Sequence, residues 1–399
     1  MKPNYNRTIT ACFIGYIVQA IVNNFVPLLF LTFQSQYQIP LSKITMLVTF
    51  NFGLQLIVDL ISVSFIDKIG YRASMVIAHV CAALGLLMLP VLPEVFLSMG
   101  QDPFIGILLA VLIYAIGGGL LEVLVSPIVE ACPSDNKEKT MSLLHSFYCW
   151  GHVGVVVIST IFFAVFGIEN WKYAAVFWAL IPAANAILFT KVPIRHLIEE
   201  GEQGLKLKEL IGMKTFWIFV LMMVCAGASE QAVSQWASTF AEKGLGVDKT
   251  IGDLAGPMSF AICMGAARAI YGKYGEKIRL RRFMLYSTCL CIISYMLIVF
   301  VQNPIVGLLG CALCGMSVGI MWPGTFSMAS ASMKTGGTAM FAFLALAGDL
   351  GCSGGPSLVG FISGCFDDDL RKGILVATIF PVLLIVGILL NRNDSKNKK

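Results

Sequence analysis

The sequence predicts an all-α membrane protein in which twelve transmembrane helices form two pseudo-symmetric six-helix bundles. The chain of 399 residues is 57% hydrophobic and only 13% charged, whereas a soluble protein carries about 25% charged residues. Its apolar residues also fall into long runs that can cross a bilayer as helices, which rise 1.5 Å per residue. Helices are favoured over strands because a backbone in contact with lipid must satisfy its own hydrogen bonds.

Polar and charged residues divide the sequence into twelve predicted spans. The first six are Thr8–Phe33, Lys43–Ile66, Ala73–Leu92, Phe104–Ala131, Lys139–Gly167 and Trp171–Thr190. The last six are Lys214–Phe240, Ile251–Tyr271, Phe283–Val301, Pro304–Met333, Gly337–Phe366 and Leu370–Leu390. The polar stretch between the sixth and seventh spans separates the halves. We therefore expect an N-terminal bundle at 1–190, a cytoplasmic linker at 191–213 and a C-terminal bundle at 214–399.

The positions of Lys and Arg predict the orientation. When both termini are placed in the cytoplasm, most of the 28 Lys and Arg residues lie on the cytoplasmic side. The exceptions are Arg268, within a span, and six residues in outer loops or at span edges: Lys43, Lys172, Lys243, Lys249, Arg371 and Lys372. Because cytoplasmic loops carry the excess of positive charge, we expect a multi-pass protein of the cytoplasmic (plasma) membrane with both termini inside. Its expected partners are the lipid bilayer and a small-molecule substrate, with no nucleic acid, and its expected state is a monomer.

The sequence shows no pattern of residues typical of an enzyme. We find no phosphate-binding loop, no metal-ligand cluster and no nucleophile with a base and an orienting partner. The twelve cysteines fall almost entirely in apolar segments, where they act as small packing residues. Cys311 and Cys314 form a C-x-x-C pair, but no further ligands follow at the spacing of a metal site. We therefore expect no catalysis, no metal and no bound cofactor.

Glu122 is the most unusual residue of the chain, because it lies near the middle of span 4 after three consecutive glycines, 117–119. Inserting a carboxylate there costs at least about 2.5–3 kcal/mol, so an intramembrane carboxyl is by default a candidate functional group. The glycines let neighbouring backbones approach closely, and Pro127 interrupts the helix after them. A carboxyl that can be neutral in hydrocarbon suits a proton carrier, so Glu122 is the candidate proton-coupling residue. The alternative is a structural carboxyl bonded to a neighbouring helix.

Other polar and aromatic residues within the spans are candidates to bind a solute: Gln19, Asn23, Asn24, His145, Tyr148, Glu230, Gln235, Trp236, Trp322 and Asp349. Asn51, Gln55 and Asp59 recur at intervals of four, which predicts one polar stripe along span 2. Such a stripe faces a cavity or another helix. We expect a gate or structural role for Asp59, Asp67, Arg72 and Glu130. His79 is interpreted as a peripheral structural residue, and Arg268 as a side chain that extends to the cytoplasmic surface.

The two halves echo one another. Asp67-Lys-Ile-Gly70-Tyr-Arg72 follows span 2, and Gly272-Lys-Tyr-Gly275-Glu-Lys277 follows span 8. A parallel repeat of about 200 residues is typical of the halves of major facilitator transporters. The first of these loops resembles that superfamily's cytoplasmic signature, although Ser64 stands where the signature begins with glycine.

Within that superfamily, four stretches resemble the fucose–proton symporter family, whose characterised members mostly carry sugars. They are Glu122 with Ser126-Pro127, the run His145-Ser-Phe-Tyr148-Cys-Trp-Gly151, the run Gly319-Ile-Met-Trp322-Pro323-Gly-Thr-Phe326, and Glu230 with Trp236. The sequence also departs from the family. Val26 and Pro27 stand where some members carry a carboxylate, and Ser126, His145 and Tyr148 replace amide residues. The family's own sugar therefore cannot be transferred residue by residue.

The resemblance implies secondary active transport by alternating access between the two bundles. We expect proton-coupled uptake of a sugar or a related polyhydroxylated small molecule, with Na⁺ as the alternative coupling ion. One alternative function is proton-coupled export of a drug or metabolite, and a cationic substrate would suit the carboxyl groups. Another is a membrane solute sensor that transports nothing, which the short polar tails 1–7 and 391–399 disfavour.

Overall fold

The computed structural model describes residues 5–133, 137–194, 207–274, 279–333 and 337–391. In these ranges the chain forms helices and turns and no strand. Eleven helical segments within these described ranges are long and apolar enough to cross a membrane. The helix Gly337–Gly364, at the place of the eleventh predicted span, has the length but contains many glycines and Asp349. These observations confirm the all-helical membrane fold. The chain divides into two compact units, Met1–Ile198 and Glu199–Lys399.

The first unit contains six membrane-spanning helices. They are α1 (Tyr5–Asn24), α2 (Leu41–Ile61), α3 (Ile69–Met88), α4 (Pro103–Ala131), α5 (Lys137–Phe166) and α6 (Trp171–Lys191). A 3₁₀ turn at Val26–Leu29 and a short helix at Phe30–Tyr37 extend α1. This change of helix type follows from Pro27, which has no N–H to donate to the preceding turn. The short helix Leu92–Ser98 lies between α3 and α4.

Spans 2 and 3 are less separate than the sequence predicts. Within Leu41–Met88, α2 and α3 are joined by a kink. Gly70 interrupts the helical geometry there with φ 81° and ψ 157°, a conformation that only glycine adopts readily. The predicted loop between these spans is therefore a sharp bend at one glycine.

The second unit contains α7 (Lys214–Ser234), α8 (Ser259–Tyr274), α9 (Leu280–Phe300) and α11 (Gly337–Gly364) as continuous helices. Two further spans are interrupted: α10 consists of Pro304–Val318 and Met321–Ser332, and α12 of Leu370–Ala377 and Ile379–Leu390. Shorter helical segments are Leu207–Ile211, Ala237–Thr239, Phe240–Gly244, Lys249–Asp253 and Leu254–Met258. The first of these falls at the end of the predicted linker.

Small residues allow the helices in each unit to pack closely. A Cβ atom on Gly117 would lie 2.4 Å from the carbonyl oxygen of Ala78, so α4 approaches α3 at backbone distance. In the second unit, a Cβ atom on Gly351 would lie 2.0 Å from the carbonyl oxygen of Val224, which brings α11 equally close to α7. This is the packing expected of membrane helices. In lipid the hydrophobic effect does not drive helices together, and small residues allow the close van der Waals contact that does.

Each unit also has an arginine that caps the end of its last helix. Arg72 Nη1 donates to the carbonyl oxygens of Phe189 (2.8 Å) and Thr190 (2.9 Å) at the end of α6. Arg281 donates to the carbonyl oxygens of Ile388 (3.2 Å) and Leu389 (3.4 Å) at the end of α12. The final carbonyls of a helix lack intrahelical donors and carry partial negative charge, so a guanidinium stabilises them.

Candidate functional site

Glu122 of α4 is joined to α1 by a side-chain hydrogen bond. Gln19 Nε2 donates to Glu122 Oε2 at 2.9 Å. Gln19 is only 4% exposed, and its Oε1 is buried with no hydrogen-bond partner among the residues that the structure describes. Because buried polar atoms are nearly always paired, this unused acceptor marks a place that another hydrogen-bond donor can fill. The site therefore combines an ionisable carboxyl with a vacant amide acceptor.

Asp59 of α2 lies close to the same carboxyl group. A carboxylate oxygen of Asp59 and one of Glu122 lie within 4.8 Å of each other. The glycines of α4 explain this approach, because a Cβ atom on Gly119 would lie only 3.0 Å from the carbonyl oxygen of Gln55. The sequence grouped Asp59 with the gate residues, whereas the structure places its carboxylate beside Glu122.

The polar stripe of α2 forms an amide cluster with α1. Asn23 Oδ1 accepts hydrogen bonds from Gln55 Nε2 (2.8 Å) and Asn51 Nδ2 (3.2 Å). Gln55 Nε2 also donates to Asn51 Oδ1 at 3.1 Å. All three side chains are buried. The cluster therefore fixes the orientation of Asn23, one of the predicted solute-binding residues, next to the helices that carry the two carboxyls.

Hydroxyl and aromatic groups from α1 contact α4 and α5. Tyr16 OH and Ser126 Oγ are 2.8 Å apart, and the Tyr16 ring lies 5.4 Å from the exposed ring of His145. Asn24 Nδ2 donates to Tyr148 OH at 3.4 Å. Sequence reasoning missed Tyr16. Its signal was its spacing, since Tyr16, Gln19 and Asn23 recur at i, i+3 and i+7 on one face of α1.

In the second unit, Glu230 of α7 pairs with Arg268 of α8. Arg268 Nη2 lies 3.5 Å from Glu230 Oε2, and the two side chains are 22% and 10% exposed. Arg268 Nε also donates to the carbonyl oxygen of Gly319 at 3.3 Å, at the break in α10. The interpretation of Arg268 as a side chain that reaches for the surface was wrong. Its guanidinium is held inside the unit by a carboxylate and a carbonyl, as a charge within a membrane helix requires.

The other predicted solute-binding residues of this unit differ in their burial and contacts. Trp236 is fully buried, and its Nε1 donates to the carbonyl oxygen of Pro356 at 3.0 Å, so its ring packs the unit instead of facing a solute. Gln235 is buried and donates to Gln231 Oε1 at 3.0 Å. Trp322 is half-buried and lies against Gly348, where a Cβ atom would be 2.2 Å from its ring. Asp349 is 7% exposed within α11.

His79 is not the peripheral residue that the sequence suggested. It is completely buried in α3, its Nδ1 lies 2.7 Å from the carbonyl oxygen of Met75, and its Nε2 lies 2.8 Å from Asn185 Nδ2. Because a carbonyl only accepts, Nδ1 carries the proton and Nε2 accepts from the amide. Asn185 Nδ2 also donates to the carbonyl oxygen of Ala11 at 3.0 Å. His79 and Asn185 therefore join α1, α3 and α6.

The other predicted gate residues are Asp67, Arg72 and Glu130. Arg72 caps α6. The side chains of Asp67 and Glu130 lie outside the part of the chain that the structure describes.

The chain belongs to the Major Facilitator Superfamily, whose family model matches residues 11–356. It is accordingly a multi-pass membrane transporter of that superfamily. No curated protein matches the sequence significantly.

Solved structures share the fold across nearly the whole chain. The fucose:proton symporter FucP of E. coli is 16% identical with a TM-score of 0.65, and the match covers 96% of this chain and 98% of FucP. A D-xylose-proton symporter is 14% identical with a TM-score of 0.76, covering 98% of each chain. A bacterial homolog of the human lysosomal transporter Spinster is 13% identical with a TM-score of 0.72, covering 98% of this chain and 97% of that one. At these identities the likeness shows the fold alone.

Proposed function

We propose that this transporter couples an inward proton gradient to the uptake of a sugar or a related polyhydroxylated small molecule. Glu122 is the proton carrier in this proposal. The transporter itself is proposed to reside in the cytoplasmic membrane. The observation that carries the proposal is the hydrogen bond from Gln19 to Glu122, which places a carboxyl beside a buried amide whose oxygen has no donor.

The chemistry around Glu122 suits a hydroxylated solute. A sugar hydroxyl both donates and accepts, so it can donate to Gln19 Oε1, the vacant acceptor, without leaving the group buried and unpaired. Tyr16 and Ser126 add hydroxyl groups on the same two helices. The structures of the fucose and D-xylose symporters share the fold, but the proposal depends on these side chains.

Protonation of Glu122 supplies the coupling. An ionised carboxylate disfavours any conformation in which the site is closed off from water, because transferring an ion into a low dielectric is costly. A proton removes that charge and permits the reorientation of the loaded transporter. The bond from Gln19 holds the carboxyl in one position through this change.

Uptake into proteoliposomes tests the proposal. Purified wild-type protein and Glu122→Gln would be compared under an imposed inward proton gradient with labelled hexoses, deoxyhexoses and amino sugars. We expect the wild type to accumulate at least one of them, and Glu122→Gln to lose accumulation but to retain exchange when both sides have equal pH. Glu169→Gln, which changes an exposed residue of a turn, is the matched control. If no sugar moves in wild type or control, the sugar assignment is wrong.

A second candidate is export of a cationic solute by proton antiport. The observation that favours it is the pair of carboxylates, Asp59 and Glu122, within 4.8 Å of each other, which would complement a positive charge. The same proteoliposomes distinguish the two functions. An exporter would move a labelled organic cation against the direction of the proton gradient, whereas a sugar symporter would move its solute with it.

A further inference from the structure

We propose that Asp59 and Glu122 act as one carboxyl pair that shares a proton, so that the coupling site has two members on neighbouring helices. The inference deepens the proposed function and rests on its assignment of Glu122 as the proton carrier. It gives Asp59 a role in coupling that neither its position near the cytoplasmic signature nor the superfamily fold assigns.

Distance is the first argument. Carboxylate oxygens of the two residues lie within 4.8 Å, and Asp59 is 9% exposed. Glu122 is half-buried. Two carboxylates at this separation with limited access to solvent repel one another, so the state in which both are ionised is disfavoured. Retaining one proton between them removes the repulsion, as it does in other paired carboxyl sites. The pair then titrates as a unit in two separate steps.

The backbone is shaped to bring the two carboxyls together. Gln55 lies one helical turn before Asp59, and its side-chain Cδ would be 3.1 Å from a Cβ atom on Gly118. Val58, which precedes Asp59, would have its Cβ 3.0 Å from a Cβ atom on Gly119. Consecutive glycines of α4 therefore receive the face of α2 that presents Asp59, one turn before Glu122. Larger residues at these positions would separate the carboxyls.

The hydrogen bonding of Gln19 is a second, independent observation that the site can bind a proton or a hydrogen-bond donor. Its Nε2 donates to Glu122 Oε2, so this oxygen is an acceptor and the shared proton resides on Glu122 Oε1 or on Asp59. Its own Oε1, nine-tenths buried and unpartnered, lies on the same amide. Other titratable groups of the first unit lie on the neighbouring helices: Tyr16 OH is 2.8 Å from Ser126 Oγ of α4, the His145 ring is 5.4 Å from the Tyr16 ring, and Tyr148 OH accepts from Asn24. His145 is therefore the competing proton acceptor, and the test includes it.

Infrared spectroscopy of the purified protein in lipid tests the pair without any solute, because a protonated carboxyl has its own C=O stretching band. The samples would be wild type, Asp59→Asn, Glu122→Gln, the double variant and His145→Gln, each titrated in sodium and in choline buffers, with Glu169→Gln as control. For the wild type we expect a carboxyl band that persists at neutral pH and is lost in two steps. Asp59→Asn and Glu122→Gln should each show a single step. This step should lie at lower pH than the higher of the two wild-type steps, because the remaining carboxylate is no longer repelled by a second one. The double variant should lack both titration steps of the wild type, and His145→Gln should keep both steps.

Two results would overturn the pair. One is an unchanged titration of Glu122 in Asp59→Asn, which would show two independent groups. The other is a wild-type band absent at neutral pH in sodium but present in choline, which would mean that the pair holds Na⁺ in place of the proton. The measurement also separates this inference from the proposed function: a failure of sugar uptake leaves the titration standing, whereas independent titrations leave uptake untouched.

Discussion

Arg268 shows how one proline can dictate the surroundings of a charge inside a membrane protein. Pro323 has no N–H, so the carbonyl of Gly319, four residues earlier, lacks its helical donor. Arg268 Nε donates to that carbonyl, while Nη2 lies 3.5 Å from Glu230. The guanidinium therefore satisfies a backbone acceptor and a carboxylate at once. Removing either charge would leave the other without its partner in a poorly solvated place.

A double-mutant cycle measures this pair. We expect Arg268→Gln and Glu230→Gln each to destabilise the protein by about 3–5 kcal/mol, the range for breaking a buried pair by removing one partner. The double variant should lose clearly less than the sum of the two, because neither charge is then stranded. Thermal unfolding in detergent would provide the free energies. Additive losses would show that the two side chains do not interact.

Glu94 presents a carboxylate of the opposite kind, outside the membrane spans. It accepts hydrogen bonds from Lys172 Nζ and from Tyr37 OH (2.8 Å). The Lys172 ammonium and then the Tyr37 hydroxyl hold the pKa of Glu94 below its ordinary value. The Glu94 side chain is 43% exposed, so solvent weakens the interaction, and surface pairs of this kind contribute about 0–1 kcal/mol.

The sign of the pH effect at Glu94 follows from the lowered pKa. Stability from the ionised carboxylate is present above the unfolded-state pKa of about 4.3 and is lost as the pH falls through the folded-state value. We expect Glu94→Gln to lower the melting temperature slightly at neutral pH, and this difference to shrink as the pH falls through the lowered folded-state pKa of Glu94. High salt should shrink the neutral-pH difference. A difference that grew on acidification would contradict this account.

At the scale of the helices, the glycine run of α4 carries the geometry of the site. A Cβ atom on Gly117 would meet the Ala78 carbonyl oxygen at 2.4 Å and the Ala82 backbone nitrogen at 2.8 Å. Backbone atoms cannot move aside as a flexible side chain can, so α3 and α4 must separate. The carboxyl of Glu122 would then shift relative to its partners on α1 and α2.

Alanine substitutions test this packing. We expect Gly117→Ala to destabilise the protein by about 1–3 kcal/mol, the range for overpacking, and to reduce transport. Gly154→Ala is the control, because a Cβ atom there meets nothing within 4 Å and alanine favours helix over glycine by about 1 kcal/mol. Melting temperatures and uptake rates would be compared. Equal behaviour of the two variants would show that close contact of α3 and α4 is unimportant.

Helices and their breaks were readable from the sequence to different degrees. Apolar length predicted the spans, and Pro27 and Pro323 lie where α1 and α10 lose regular geometry. The kink at Gly70 between α2 and α3 was not predictable, because a polar loop and a bend at one glycine have the same composition. For the site, the free-energy cost of placing a carboxylate within the membrane singled out Glu122. The four-residue spacing of polar residues predicted the stripe of α2 that begins at Asn51. Periodicity shows which residues share a helix face but not which helix they meet, so the neighbours of Asp59 and His79 emerged only from the structure.

For the whole molecule, the distribution of positive charge makes a further prediction. We propose that both termini are cytoplasmic, since the loops expected inside carry most of the 28 Lys and Arg residues. Fusing the C-terminus to green fluorescent protein or to alkaline phosphatase in bacterial cells reports its location. We expect fluorescence and no phosphatase activity. Active phosphatase with no fluorescence would place this end outside and reverse the orientation.

Proton movement that accompanies solute entry is the decisive sign of coupling through Glu122. Proteoliposomes with an entrapped pH-sensitive dye would receive each labelled sugar from outside at equal pH. We predict that a transported sugar acidifies the lumen of empty wild-type proteoliposomes. Glu122→Gln should admit labelled sugar only when the lumen already holds unlabelled sugar to exchange for it, with no change in luminal pH. Entry of sugar with unchanged luminal pH in the wild type, or acidification that persists in Glu122→Gln, would contradict proton coupling through this carboxyl.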